Sequence, residues 1–147
     1  MKKLEIEGYE LRGDLYYDSV ADMWVAVDQG RAKVGFDPLG LEVNGTLAQL
    51  ALAKVGSATS RGESMGTLEA EKFVGPIVAP LSGSVAAIND DALLNVSKLH
   101  TAPYDTWILE IEMSDLGELD LLVTGADLEN SFAQRLEAYR KKGVLAR

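Results

Sequence analysis

The chain has 147 residues, 47% of them apolar, with 14 Lys+Arg against 23 Asp+Glu, one His and no Cys, which suits one domain of ordinary core size that folds without metal or disulfide staples. A formal net charge of −9 argues against a nucleic-acid partner, because tracking phosphates needs clustered Lys and Arg. Without Cys there is no disulfide, thiolate nucleophile or thiolate metal site, so any redox work requires an attached group.

Residues 1–14, MKKLEIEGYELRGD, are charged and weakly patterned and read as a lead-in that adds one edge strand. They lack the apolar core of about 7 to 15 residues that marks a signal peptide, and no later stretch reaches about 18 uninterrupted apolar residues. A soluble cytoplasmic protein, with no membrane contact, is expected. From Leu15 to Phe36 short β-favouring stretches flank Asp28-Gln29-Gly30, the pattern of a hairpin whose turn uses Gly30. Pro38 to Val43 can make a short helical turn, with Asp37 as N-cap and Pro at the first helical position. GTLAQLALAKVG, ESMGTLEAEKFV, GPIVAPLSGSVAAIND and DTWILEIEM follow as strand-length segments punctuated by Gly, Pro, Asn and Ser, as in an all-β domain. TLAQLALAK is read as a strand, although its propensities also allow helix.

His100 falls in the polar loop KLHTAPYD and reads as a loop residue without catalysis. One imidazole and no Cys leave no metal site of that type, and no loop spaces its Asp residues for calcium. There is no G-x-S-x-G and no G-x-x-x-x-G-K-[ST], so no catalytic residue is assigned. After Ser114 the texture changes. Ser114 to Leu122 reads as a short helix or turn begun by Asp115. Ala126 to Lys142 repeats apolar residues at Leu128, Phe132, Leu136 and Tyr139 near the 3.6-residue period of an amphipathic helix. Asp127 and Glu129 near its start, Arg140, Lys141 and Lys142 near its end and Gly143 as C-cap agree with that helix.

One lysine stands out by position. Lys72 in Glu69-Ala70-Glu71-Lys72-Phe73-Val74-Gly75-Pro76 lies between two β-prone stretches, and at a hairpin tip its amine would be open to a modifying enzyme. Composition alone favours an ordinary solvated lysine here.

A longer string of motifs changes that balance. Val34-Gly35, then Gly45 ten residues after Gly35, Val55-Gly56, and Gly62 with Gly66 lead without a gap to Glu69-Ala70-Glu71-Lys72. Eight residues beyond Lys72 come Pro80-Leu81-Ser82-Gly83, then Val85-Ala86-Ala87-Ile88-Asn89, and later Pro103-Tyr104, Trp107-Ile108 and Ser114-Asp115. From Tyr16 to about Asp115 this resembles the H protein of the glycine cleavage system, a lipoyl carrier of the biotinyl/lipoyl attachment superfamily. The resemblance implies a mainly β fold, a barrel-sandwich hybrid of two antiparallel sheets of lipoyl-domain type with peripheral helices and a C-terminal helix. It divides the chain into a lead-in (1–14), an H-protein-like lipoyl domain (15–115) and a C-terminal helical extension packed on the same domain (116–147). Lipoic acid would be attached covalently to Lys72. Glu69, Glu71 and Phe73 would be read by a lipoate ligase or a partner, and Gly62, Gly66, Gly75, Pro76 and Gly83 would form structural turns. Val74 and Val78 would face the core. The protein would be a monomeric, non-catalytic carrier whose dithiolane supplies the sulfur chemistry.

Departures from the family pattern bear on pathway. Asp22-Met23-Trp24 stands where H-E-W is usual, and Asp105-Thr106 replaces glycines between the late Tyr and Trp. Phe73-Val74-Gly75-Pro76, Tyr16-Tyr17, Leu121-Leu122-Val123-Thr124-Gly125 and Glu137-Ala138-Tyr139-Arg140 look more like the H-like lipoate-binding proteins that serve a heterodisulfide-reductase-like complex in sulfur oxidation. That is the favoured expectation. The alternatives are glycine cleavage, with glycine decarboxylase, aminomethyltransferase and dihydrolipoamide dehydrogenase as partners, and an unmodified interaction module.

Overall fold

The computed structural model describes residues 3–145. Met1 and Lys2 of the expected lead-in, and Ala146 and Arg147 of the expected extension, lie outside the described residues. In chain order the elements are strands β1 (Lys3–Ile6), β2 (Tyr9–Arg12), β3 (Tyr16–Asp18), β4 (Met23–Asp28) and β5 (Arg31–Phe36), helix α1 (Pro38–Asn44), and strands β6 (Leu47–Leu52), β7 (Ala58–Thr59), β8 (Ser64–Ala70), β9 (Val74–Val78) and β10 (Gly83–Ile88). Helices α2 (Asp90–Leu94) and α3 (Lys98–Thr101), strand β11 (Leu109–Met113), 3₁₀ turns at Leu116–Leu121 and Gly125–Asp127, and helix α4 (Leu128–Lys142) complete the chain.

The expected barrel-sandwich hybrid is not formed. The fold is mainly β with peripheral helices, but its sheets are open: a six-stranded sheet in the order β3-β4-β5-β11-β10-β7, a three-stranded sheet β6-β8-β9, and the separate pair β1-β2. Closing them would need continuous ladders at the free edges. One edge of the large sheet is the two-residue strand β7. Beyond β3 at the other edge there is, among the described residues, only an isolated bridge, Tyr17 to Val123. Pro80, just after β9, has no N–H with which to extend that strand's ladder toward β10.

Local chemistry explains the elements. The β4–β5 hairpin turns at Gln29 (φ 48°) and Gly30 (φ 82°) between the paired residues Asp28 and Arg31, the doubly left-handed turn that matches strand twist. Asp37 caps α1 by accepting from the Gly40 N–H at 2.9 Å, with Pro38 opening the helix. In β8, Met65, Leu68 and Ala70 point inward while Ser64, Thr67 and Glu69 face solvent, and TLAQLALAK forms strand β6, where Leu47 and Leu50 are buried. Inward residues of both larger sheets, among them Val25, Val34, Val85 and Ile111 from one and Leu50, Leu68 and Ile77 from the other, meet in one core.

The lead-in does not add an edge strand. Glu7 (φ 50°) and Gly8 (φ 91°) fold it into its own hairpin, which buries Ile6, Tyr9 and Leu11 against Leu128, Phe132 and Leu136 of α4 in a second core. Tyr9 and Phe132 meet edge to face at 5.5 Å. The Tyr17 hydroxyl accepts from the Arg12 N–H at 2.8 Å and donates to the Tyr104 hydroxyl at 3.0 Å, and burial pushes the Tyr17 pKa up to about 12. His100 lies in α3, not in a loop. Among the described residues, no helix is long and apolar enough to cross a membrane.

Candidate functional site

Lys72 sits at the tip of the β8–β9 hairpin, where Glu71, Lys72 and Phe73 link Ala70 to Val74. Backbone bonds hold the tip from two directions. The Ala70 N–H donates to the Phe73 carbonyl at 2.9 Å across the turn. The N–H groups of Glu71 and Lys72 donate to the carbonyls of Thr46 and Asn44, each at 2.9 Å. The α1–β6 connection is thus docked under the tip. Gly45 makes this approach feasible: its φ is 77°, and a Cβ there would stand 2.7 Å from Glu71 Oε1 and 3.2 Å from Lys72 Cγ. A side chain would be strained in that conformation and would also wedge the two segments apart.

The side chains around this frame differ in exposure. Glu69, Glu71 and Lys72 are exposed; Phe73 is 42% exposed, its ring covering Gly75. The Lys72 ammonium donates to the Glu42 carbonyl at 3.4 Å, and no ion pair is formed by it among the described residues. Beside it runs a groove of about 450 Å³, bounded by Val43, Asn44, Lys72 and Phe73 on one side and by Gly143, Val144 and Leu145 on the other.

Several residues occupy other positions than the sequence reading gave them. Gly62 (φ 86°) is in a turn, whereas Gly66, Gly75, Pro76 and Gly83 lie within strands. For Gly66 and Gly83 the requirement is close approach: a Cβ would come within 2.4 Å of the Ala51 carbonyl oxygen and 1.9 Å of that of Glu112. Val74 does not face the core; it is 73% exposed, Val78 is half-buried, and Ile77 is the β9 side chain that points inward. Pro80 and Ser82 form a junction: Arg61 donates to the Pro80 carbonyl at 2.6 Å and to Asp18 at 2.9 Å, and Ser82 is held by Glu118.

The sequence reading missed a buried charged group next to this region. Arg135 of α4 reaches Asp22 at 2.5 Å and Asp37 at 2.8 Å, while the Tyr139 hydroxyl donates to the other Asp22 oxygen at 2.5 Å. Arg135 is only 9% exposed and Asp37 is fully buried. Burial opposes the guanidinium charge, but Asp37 and Asp22 outweigh it and raise its pKa. Burial pushes the Asp22 carboxyl up to about 6, against the opposing pull of Arg135. Asp22 and Tyr139 also border a second cavity of about 210 Å³ that shares Val43, Asn44 and Phe73 with the groove. A signal for Arg135 existed, since it lies seven residues after Leu128 and three after Phe132, on the buried stripe of the helix.

Among the described residues, no group of three or more His, Asp or Glu could hold a metal ion. An exposed amine on a backbone-braced tip, beside a groove with apolar walls, fits a covalently attached group with a hydrocarbon stem.

Comparison with known proteins places this geometry. Residues 15–135 match the model of the glycine cleavage H-protein family. The glycine cleavage system H protein 4 of Aquifex aeolicus is 29% identical over 145 residues, covering 98% of this chain and 84% of that protein. The glycine cleavage system H protein of Myxococcus xanthus is 36% identical over 115 residues, covering 78% and 88%. The crystal structure of a glycine cleavage system H protein from Mycobacterium marinum superposes with a TM-score of 0.72 at 28% identity, covering 84% of this chain and 99% of that one. The chain belongs to the glycine cleavage H-protein family, and that membership agrees with a non-catalytic carrier.

Proposed function

We propose that this member of the glycine cleavage H-protein family is a lipoyl carrier whose attachment site is Lys72, and that it serves glycine cleavage, exchanging its cargo among a glycine decarboxylase, an aminomethyltransferase and a dihydrolipoamide dehydrogenase. The observation that carries the reading is the placement of Lys72: exposed, unpaired with a carboxylate among the described residues, and mounted on a turn whose own N–H groups are bonded to a neighbouring segment. Acylation needs the neutral amine. Its nitrogen bonds to the activated lipoyl carbonyl carbon, the activating group leaves with the bonding pair, and the amine proton passes to a base or solvent. A lysine buried in an ion pair would have to leave that pair to reach an acyl donor, whereas Lys72 gives up only a long contact to a carbonyl. The attached dithiolane would supply the sulfur chemistry, and the protein supplies orientation and recognition. Glu69, Glu71 and Phe73 stand around the amine as the surface a lipoate ligase or a partner enzyme would read.

The relatives' names favour glycine cleavage over the sulfur-oxidation role expected from sequence. The second reading keeps one local observation, the Phe73-Val74-Gly75-Pro76 run in which the ring is folded onto Gly75. Coexpression with a lipoate ligase should raise the intact mass by one lipoyl group, and Lys72→Arg should abolish the increment. Modification at another residue refutes the site; no modification leaves an interaction module. The lipoylated protein should then support glycine turnover with glycine decarboxylase and aminomethyltransferase. Failure there, with lipoylation intact, returns the sulfur-oxidation reading.

A further inference from the structure

We propose that the concavity between Trp24, Tyr104 and Trp107, on the outer face of the large sheet, is a binding site for a small aromatic monocarboxylate. This concavity shares no residue with the groove beside Lys72, so its occupant is independent of what Lys72 carries. Alternation along β4 places it. Met23 and Val25 point into the core shared with the small sheet, so Trp24 and Ala26 point to the other face. There the second core buries Trp24 but leaves Tyr104 and Trp107 half-buried. The space between them is about 170 Å³, below the roughly 300–1,000 Å³ of drug-sized pockets, which limits the occupant to one small ring and its substituent.

The walls are set before any ligand arrives. Trp24 lies across Gly35, where a Cβ would stand 2.5 Å from the ring, and its indole N–H donates to the Pro103 carbonyl at 3.0 Å. The Tyr104 hydroxyl donates to the Glu10 carbonyl at 2.7 Å and accepts from Tyr17 at 3.0 Å, and its ring meets that of Trp24 at 6.1 Å and 38°. Asn89 donates to the Trp107 carbonyl at 2.8 Å. Rings held in this way lose little freedom on binding. Charge selects the other end of the ligand. Arg12 stands 4.9 Å over the Tyr104 ring and the Lys33 ammonium 5.0 Å over that of Trp107. Both ring faces already carry a cation, so a cationic ligand would be repelled. Arg12 is engaged by Glu10 at 2.8 Å. Lys33 forms no ion pair among the described residues; Glu110, its cross-strand partner, is turned instead to Arg31 at 3.5 Å. Asp14 is the one acid among the described lining residues. In a chain of net charge −9, two cations against one acid reverse the sign locally. An aromatic ring between the tryptophans, with its carboxylate on Lys33, meets both features of the site.

Both tryptophans of the chain line the site, so occupancy can be read by indole fluorescence and by the two indole N–H resonances of the isotope-labelled full chain. Benzoate is the probe. It should move both resonances and saturate with a Kd of about 1 mM. Benzamide keeps the ring without the charge and benzylamine reverses the charge; each should bind roughly three- to tenfold more weakly. Lys33→Met, which keeps an unbranched stem, should weaken benzoate by about the same factor and leave benzamide unchanged. Trp107→Leu should abolish saturation by both. No saturable shift up to about 10 mM benzoate overturns the proposal, as does benzamide or benzylamine binding as tightly as benzoate, or benzoate affinity unchanged in Lys33→Met. Binding that survives Trp107→Leu in the folded protein lies elsewhere and overturns it too. Should that variant not fold, Ala26→Leu, which fills the same space from β4, takes its place: weakened benzoate binding supports the site and unchanged binding overturns it.

Discussion

Two cations in this molecule are held by opposite means. Lys72 is exposed, and the structure fixes the backbone beneath it with carbonyls from Asn44 and Thr46 while leaving the ammonium with one long contact. Arg135 is buried, and the structure fixes the charge itself with two carboxylates, one of them fully buried. A group that must react needs a rigid base and a free end. A group that must hold needs its charge compensated, because an uncompensated charge in the interior is costly.

Removing the two charges should separate them most clearly. Arg135→Met should cost about 3–5 kcal/mol, because it strands Asp22 and Asp37, whereas Lys72→Met should stay within about 0.5 kcal/mol; urea denaturation of the unmodified chain measures both. Similar losses for the two would dissolve the contrast. A smaller effect should follow from attacking the base of the tip: Gly45→Ala, at φ 77° and against Glu71, should cost about 1–3 kcal/mol and slow lipoylation of Lys72, read by intact mass over time. Unimpaired stability and lipoylation would mean that the tip does not depend on the α1–β6 segment.

The third perturbation sharpens the buried side. Asp22 titrates in the fold at about 6 against an ordinary 3.8. A raised folded pKa contributes stability that is fully present below the unfolded value and is lost as pH rises through the folded one. Asp22→Asn, which cannot titrate, should therefore gain on the parent as pH rises from about 4 to 7, ending within about 1 kcal/mol of it at neutrality. A large loss at pH 7 would show that the carboxylate charge is indispensable. The smallest effect concerns the site's supporting strand. His100 Nε2 accepts from the Leu47 N–H at 3.1 Å, and burial lowers its pKa below 6.5. Stability from the neutral ring is present above 6.5 and lost as pH falls through the depressed value. Subtracting the pH profile of His100→Gln, whose amide oxygen can still accept, should isolate that decline; a flat difference would remove His100 from the support of β6.

What could be read from the sequence was local. Asp37-Pro38 announced α1, Gln29-Gly30 the β4–β5 turn, and Leu128, Phe132 and Leu136 the buried stripe of α4, because each signal lies within a few residues of its effect. Lys72 was placed between two β-prone stretches by its local context, and motif order then singled it out from an ordinary solvated lysine. The features that escaped depend on distant pairing. Whether sheets close is decided at their edges, and nothing within β3 or β7 states what lies beyond. The clamp under Lys72 consists of backbone carbonyls, which leave no trace in side-chain pattern except at Gly45. Gly66 and Gly83 were assigned to turns because spacing does not reveal a carbonyl oxygen passing across the ladder. Arg135 was not singled out, although its spacing from Leu128 and Phe132 puts it on the buried stripe, because the stripe was read from apolar residues alone.

The distance along the chain between the partners of the buried cation has a temporal meaning. Arg135 and Asp22 are 113 residues apart, while the hairpin that carries Lys72 pairs Glu69 with Val74 across its own turn. Closing a long loop has an entropic cost that a hairpin avoids, so β8 and β9 can assemble well before α4 finds its carboxylates. On the ribosome the order is enforced, since Lys72 emerges long before Arg135 is synthesised. A ligase that met the chain at that stage would find the lysine displayed and the C-terminal helix not yet docked.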